Sequence, residues 1–174
     1  MSFHVKKGEI LGFYGLEGSG THELSRLIFG LESRDHGQIY CCGKKLEKIT
    51  PEQLIEHKVL YLHGNRKQAG LLLHMSTMDN MSLPVLKKLS SCTLLNVEAL
   101  KQHTTRFIRM FSVAIHSIWT KPGTLSGGNQ QKIMLSVCLG AEPDCMIIND
   151  PTRGIDVGAK NEIHQFILDK AKEG

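Results

Sequence analysis

Residues 10–28, ILGFYGLEGSGTHELSRLI, decide the fold of this chain. The apolar run at 10–13 predicts a short buried strand, and the glycine-rich stretch behind it predicts a tight loop. Apolar residues then recur at helical spacing as far as Gly30, where a helix stop is expected. Strand, glycine loop and helix in succession indicate an α/β fold with a mostly parallel sheet.

The glycine loop has the spacing of a phosphate-binding loop but lacks its charged side chain. Phosphate loops read GxxxxGK[ST], and their backbone N–H groups and helix N-terminus attract an anion. Thr21 stands where the lysine is expected, and His22 stands where a small hydroxyl would hold magnesium. An ordinary strand-to-helix turn would show the same glycines, so both interpretations stay open here. The candidate phosphate-binding residues are Gly15, Leu16, Glu17, Gly18, Ser19, Gly20, Thr21 and His22.

A second candidate for anion binding is the stretch LSGGNQQK at 125–132. Ser126 is a good helix cap, and the two glycines behind it leave N–H groups at the helix start open to an anion. An ordinary capped helix would carry the same residues, and the sequence does not separate the two. The candidate residues are Ser126, Gly127, Gly128, Asn129 and Gln130.

The third motif follows an apolar run at 145–148 that predicts a buried strand. Asn149 and Asp150 come directly after it, and Asp156 follows a short distance on. Nucleotide hydrolases place a magnesium ligand and a carboxylate for the attacking water at the end of such a strand. The alternative is a strand followed by a proline turn.

The rest of the chain predicts an α/β core with a helical insertion. Turn residues in 33–48 predict a hairpin, 59–62 predict a strand and 159–172 predict an amphipathic helix. Helix caps are predicted at Thr50, Ser76, Asn96 and Ser126, with capping boxes closed by Gln53 and Asp79. We expect one domain over 1–174, with its core at about 1–75 and 140–174 and a helical subdomain at about 76–139.

Composition excludes several classes of protein. The chain has 174 residues, 41% of them hydrophobic and 22% charged, as in globular domains. Its net charge is +4, with basic residues scattered in pairs such as Arg66 and Lys67, which does not favour nucleic-acid binding. The five cysteines include the neighbours Cys41 and Cys42 but no CxxC pair, which favours reduced thiols and no metal site. No stretch is long and apolar enough to span a bilayer.

Together the three motifs resemble an ATP-binding cassette (ABC) domain, a P-loop NTPase fold. LSGGNQQK at 125–132 resembles the ABC signature motif, and INDPT at 148–152 resembles a Walker B strand end, which usually reads DEPT. PTRGIDVGAK at 151–160 is similar to the ATPase subunits of bacterial simple-sugar importers of the ribose and galactose type. The segment 63–83 is similar to their second, C-terminal cassette.

The resemblance implies two kinds of site, because ABC domains pair head to tail around ATP and Mg²⁺. The domain's own site is altered: Asn149 would be a weak magnesium ligand, and Asp150, the candidate catalytic carboxylate, is one methylene shorter than glutamate. The segment that serves the partner's site is intact, from Ser126 to Gln130, and Asp156 matches the position that touches the opposite site. We therefore expect an ATP hydrolase within the assembly whose isolated chain is weak or inactive.

The same resemblance implies partners and a location. The partners would be a second ABC domain with an intact phosphate loop and transmembrane permease subunits, without nucleic acid. The domain would lie in the cytoplasm, peripheral on the inner face of the cell membrane. We expect the cassette to be truncated at both ends. The alternative is a regulatory or structural cassette that does not bind nucleotide.

Overall fold

The computed structural model describes residues 1–41, 43–47, 49–65, 70–91 and 94–173. Cys42, Cys92, Arg66 and Lys67 lie outside these residues. The helices are α1 Thr21–Ile28, α2 Pro51–Glu56, α3 Thr77–Ser82, α4 Val97–Met110, α5 Gly127–Gly140 and α6 Val157–Glu173. The strands are β1 Tyr40–Cys41, β2 Lys44–Lys45, β3 Val59–Leu62, β4 Ser90–Ser91, β5 Leu94–Leu95 and β6 Cys145–Ile148. Short 3-10 turns occupy Leu83–Val85 and Pro122–Thr124.

The two predicted strands β3 and β6 pair in parallel, with Val59 opposite Cys145 and Leu62 opposite Ile148. The Asn149 N–H extends the ladder by donating to the Leu62 carbonyl oxygen at 3.0 Å. Both strands therefore end at the same edge of the sheet, and the segments that follow them come together there. The α/β fold with a parallel sheet is confirmed. The pairs β1–β2, in the predicted hairpin region, and β4–β5 are short antiparallel hairpins.

Four helices begin at the predicted capping residues. Thr50, Ser76, Asn96 and Ser126 each accept a hydrogen bond from the backbone N–H three residues on. At α3 the capping box closes, because the Asp79 carboxylate accepts from the Ser76 N–H at 3.0 Å. At α2 the predicted box does not close: the Gln53 Oε1 atom is buried without a hydrogen-bond partner. Each side-chain cap stabilises its helix by about 1 kcal/mol.

The predicted strand at 10–13 is wrong in this structure. These residues have no strand conformation, and all four are exposed, with Ile10 at 50% of its full accessibility. The Phe13 ring packs against the ring of Phe3, ten residues earlier, with 5.0 Å between the ring centroids. An apolar run indicates a tendency to be buried, but a strand also needs a neighbouring strand to accept its backbone hydrogen bonds. In the described part of the chain, 10–13 has no such neighbour.

Two hydrophobic clusters hold the described residues together. The larger one joins β3, α3, α4, α5 and α6 through Leu62, Leu71, Met81, Phe107, Phe111, Val113, Ile133, Met134, Leu135 and Ile163. The smaller one is formed by Phe29 after α1, Leu46 after β2, Leu54 in α2 and Val59 in β3. Cys138 packs against the larger cluster, and burial raises the pKa of its thiol to about 12. This cysteine acts as a small core residue, as expected from the sequence.

The segment 76–139 is mostly helical, as predicted. It also contains the β4–β5 hairpin, which the sequence does not indicate because its strands are only two residues long. No helix in the described ranges has the length and apolar character required to cross a membrane. The subdomain boundaries at about 75 and 140 stay a prediction.

Gly30 ends α1, and its replacement by alanine is expected to destabilise the fold. Its φ is 75°, and a Cβ there would lie 2.6 Å from the Ile49 carbonyl oxygen. Left-handed strain and this backbone clash together are expected to lower the free energy of unfolding by at least about 2 kcal/mol. Gly12→Ala is the control, since a Cβ at Gly12 meets nothing within 4 Å. Urea unfolding of both variants checks the prediction, and equal effects would contradict it.

Candidate functional site

The glycine loop curls back on itself before α1. Gly18 and Gly20 have φ values of 82° and 87°, which residues with a Cβ rarely adopt. The Ser19 N–H donates to the Leu16 carbonyl oxygen at 2.9 Å, and a Cβ on Gly15 would overlap the Ser19 side chain. Helix α1 follows at once, and no side chain caps it. Its first N–H groups are therefore open to an anion.

This loop carries no lysine or arginine near that opening. Thr21, the first residue of α1, is half-buried and neutral, while Glu17 and His22 are exposed. From this loop, the backbone N–H groups and the helix dipole, about half a unit charge, would face a bound phosphate. Such a loop is suited to hold an anion more weakly than one that carries a lysine.

The most specific feature of the site is a ring of hydrogen bonds that starts and ends on His22. The His22 Nδ1 atom lies 2.7 Å from Asn149 Oδ1, and Asn149 Nδ2 donates to the Tyr61 hydroxyl at 2.9 Å. The Tyr61 hydroxyl lies 3.3 Å from Ser25 Oγ, which donates to the His22 carbonyl oxygen at 2.7 Å. We call these four residues the His22 ring. The ring ties α1 to the carboxyl ends of β3 and β6.

The residues at this edge do not fit a magnesium ion. A divalent magnesium ion prefers carboxylate and hydroxyl oxygens around an octahedron. Asn149 offers a neutral amide oxygen that already faces His22, and His22 offers a nitrogen. Among the described residues, no group of three or more histidine, cysteine, aspartate or glutamate side chains is arranged to hold a metal ion.

Asp150 follows Asn149 at the end of β6 and is exposed. Its φ is 43°, in the left-handed region that aspartate tolerates better than most residues. The neighbouring chain is close: a Cβ on Gly64 would lie 3.1 Å from the Asn149 carbonyl oxygen and 3.6 Å from the Asp150 Cβ. The glycine after β3 therefore gives the residues after β6 the room to turn at this edge.

The start of α5 is braced by its own side chains. Ser126 Oγ accepts from the Asn129 N–H and, at 3.0 Å, from Asn129 Nδ2. Asn129 Oδ1 accepts from the Ala114 N–H at 2.8 Å, and buried Gln130 donates to the Pro122 and Leu125 carbonyl oxygens. Ser126 itself is exposed, and Gly127 is partly exposed. Both residues are therefore accessible at the start of α5.

Gly128 and Asp156 meet where α5 packs against α6. A Cβ on buried Gly128 would lie 3.1 Å from the Ala159 Cβ and 3.5 Å from Asp156 Oδ2. Asp156 Oδ1 accepts from the Ala159 N–H at 2.8 Å near the start of α6. The absent side chain at Gly128 thus permits close helix packing, and Asp156 is held beside the start of α5.

Sequence reasoning missed three residues of this edge: Tyr61, Ser25 and Gly64. Tyr61 stacks on Phe29 at 5.3 Å, so its ring belongs to the smaller cluster while its hydroxyl reaches the site. The available signal was a polar atom inside an otherwise apolar strand, because a buried tyrosine hydroxyl usually has a hydrogen-bond partner.

Residues 1–153 match the family described as ABC transporter. The chain belongs to the ABC transporter family. This ABC domain is 40% identical over 168 residues to the xylose import ATP-binding protein XylG of Thermoanaerobacter pseudethanolicus, covering 96% of this chain and 33% of that protein. It is 38% identical over 174 residues to the ribose import ATP-binding protein RbsA of Bacillus cereus, covering 100% of this chain and 35% of that protein. The chain spans about a third of the length of these curated relatives.

Solved structures agree on the fold of the ABC domain. An ATP-binding cassette solved as a dimer in a post-hydrolysis state, bound to ADP and phosphate, superposes with a TM-score of 0.82 at 21% identity. The match covers 98% of this chain and 73% of that one. A nucleotide-free cassette from an ABC transporter superposes with a TM-score of 0.78 at 20% identity, covering 98% and 69%. The predicted fold class is therefore confirmed.

Proposed function

We propose that this chain is a nucleotide-binding domain of a simple-sugar importer, and that it acts mainly on a partner's ATP. Its resemblance to the xylose and ribose import proteins supports the transport role. By the similarity of segment 63–83, it corresponds to the second, C-terminal cassette of such a subunit. Its core would be 1–75 and 140–174, with 76–139 as the helical subdomain.

The single observation that carries the asymmetric role is the hydrogen bond between His22 and Asn149. Both residues stand at positions where the family has magnesium ligands, and here they bind each other. Magnesium and the missing lysine supply most of the charge stabilisation in phosphoryl transfer. The domain's own site would therefore bind ATP phosphates through the loop from Gly15 to His22 but turn ATP over poorly. Asp150 would therefore contribute little to ATP hydrolysis at this site.

Unlike the domain's own site, the signature segment keeps the residues that would serve a partner's nucleotide. The Ser126 hydroxyl and the Gly127 N–H lie at an exposed helix start, on a frame fixed by Asn129 and Gln130. Such a helix start is a ready site for the γ-phosphate of an ATP held by another cassette. Asp156, beside this helix start, would face the same composite site.

The proposed partners follow from this arrangement. They are a second ABC domain with an intact phosphate loop, which would hold ATP with Mg²⁺, and transmembrane permease subunits. The domain would lie on the cytoplasmic, inner face of the membrane, and nucleic acid has no part in the proposal. The second candidate is a regulatory or structural cassette that binds no nucleotide. Thr21, His22 and Asn149 favour it, because they replace the expected lysine, hydroxyl and carboxylate.

Vanadate trapping in the assembled transporter tests the proposal. Vanadate with ADP mimics the transition state, so it accumulates at a site that turns over. We expect photoactivatable azido-ADP to be trapped and cross-linked on the partner cassette, and not on the peptide that contains residues 15–26. Trapped label on that peptide would contradict the asymmetric role. Turnover without any need for this domain's signature segment would favour the regulatory candidate.

A further inference from the structure

We propose that the His22 ring takes the place of the metal, so that this domain's own loop binds nucleoside di- and triphosphates without any dependence on magnesium. The inference rests on the proposed function only in treating the loop before α1 as a nucleotide phosphate site. It goes further in two ways: the loop binds the nucleotide without magnesium, and the His22 ring is what excludes the metal.

The directions of the hydrogen bonds make the ring self-consistent. His22 Nδ1–H donates to Asn149 Oδ1, and Asn149 Nδ2–H donates to the Tyr61 hydroxyl. The Tyr61 proton is then free to go to Ser25 Oγ, whose own proton goes to the His22 carbonyl oxygen. Each of the four hydrogen bonds then has one donor and one acceptor. Hydrogen bonds that run head to tail in this way also strengthen one another.

A metal ion would have to break this ring. To coordinate magnesium, Asn149 Oδ1 would give up its contact with His22, and the imidazole Nδ1–H would lose its acceptor. The ion would gain a neutral amide oxygen in return, a poorer ligand than a carboxylate. Asp150, the carboxylate next along the chain, is exposed and outside the ring. Replacing the His22–Asn149 hydrogen bond by coordination of magnesium is therefore unfavourable.

The backbone N–H groups of the loop take no part in the ring. The open N–H groups at the start of α1 and the left-handed glycines Gly18 and Gly20 are backbone features. They attract an anion through the helix dipole and the N–H groups alone. Because the ring occupies the Asn149 oxygen that would meet the metal, the metal-free nucleotide and its magnesium complex should bind similarly.

Fluorescence titration of the full chain with methylanthraniloyl-labelled ADP tests the inference, in buffer with magnesium chloride or with EDTA. We expect the two dissociation constants of the wild-type chain to agree within about threefold. The double variant His22→Ser, Asn149→Asp restores a hydroxyl and a carboxylate, and its binding should become at least about tenfold tighter with magnesium than with EDTA. His22→Ser alone, which keeps the amide, is the matched control and should stay insensitive to magnesium.

The outcomes separate this inference from the proposed function. Wild-type binding at least about tenfold tighter with magnesium would overturn the inference, even if the double variant did not fold. A folded double variant that is as insensitive as the wild type would also overturn it. Absence of wild-type binding in both buffers would overturn it as well, yet it would leave the role of the signature segment intact, because that role is read on the partner's nucleotide.

Discussion

Gly127→Asp is expected to lower ATP turnover by the assembled transporter at least about a hundredfold. Gly127 is the first residue of α5, and it is partly exposed at the helix start. An added carboxylate there would face the γ-phosphate of the partner's nucleotide. Two like unit charges about 4 Å apart repel by about 4 kcal/mol near a protein surface, which exceeds the loss required.

The same substitution should leave the fold intact, which makes the result interpretable. The first turn of α5 contains no acidic residue, and a negative charge at a helix N-terminus is stabilising. Urea unfolding is therefore expected to show no loss of stability. The control is Leu94→Asp, which adds the same charge at a 77% exposed residue of β5, outside α5. Turnover within about twofold of wild type in Gly127→Asp would contradict the role of the signature segment.

Leu62→Ala is expected to lower the free energy of unfolding by about 3–4 kcal/mol. The Leu62 side chain is completely buried in the larger cluster. Its truncation leaves a cavity between the sheet and the helices, in a domain whose total stability is about 5–15 kcal/mol. The backbone of Leu62 also accepts from the Asn149 N–H, so the effect should extend to the edge where the His22 ring lies.

Urea unfolding monitored by circular dichroism measures this loss. Leu94→Ala in β5 is the matched control, because Leu94 is 77% exposed and its truncation should change stability by less than about 0.5 kcal/mol. A loss below about 1 kcal/mol in Leu62→Ala would mean that the cavity collapses or that β3 is not central to the core.

Local signals in the sequence predicted the helix starts well. Ser76 and Asn96 cap their helices as expected, because a capping hydrogen bond depends on residues only three positions apart. The exception is Gln53, whose side chain is buried without a partner instead of closing a box at Thr50. That choice depends on what packs around α2, which the local pattern does not contain.

Strand pairing, which joins distant segments, was predicted less well than the helix starts. Strands β3 and β6 were predicted as separate apolar runs, and their parallel register appeared only in the structure. The run at 10–13 also shows that composition does not determine pairing. It has the composition of a buried strand but no partner strand in the described chain. Apolar composition indicates burial, whereas pairing is decided by which backbone edge lies beside it.

The sequence by itself determined the family, the altered loop and the intact signature segment, because these depend on which residues stand at fixed spacings. Only the tertiary structure brought His22 and Asn149 into contact and added Tyr61 and Ser25 to close a ring. It also showed that Gly128 permits close packing against α6. The physical reason is that hydrogen bonds and close packing between distant segments depend on how the strands and helices assemble. Spacing within one segment does not contain that information.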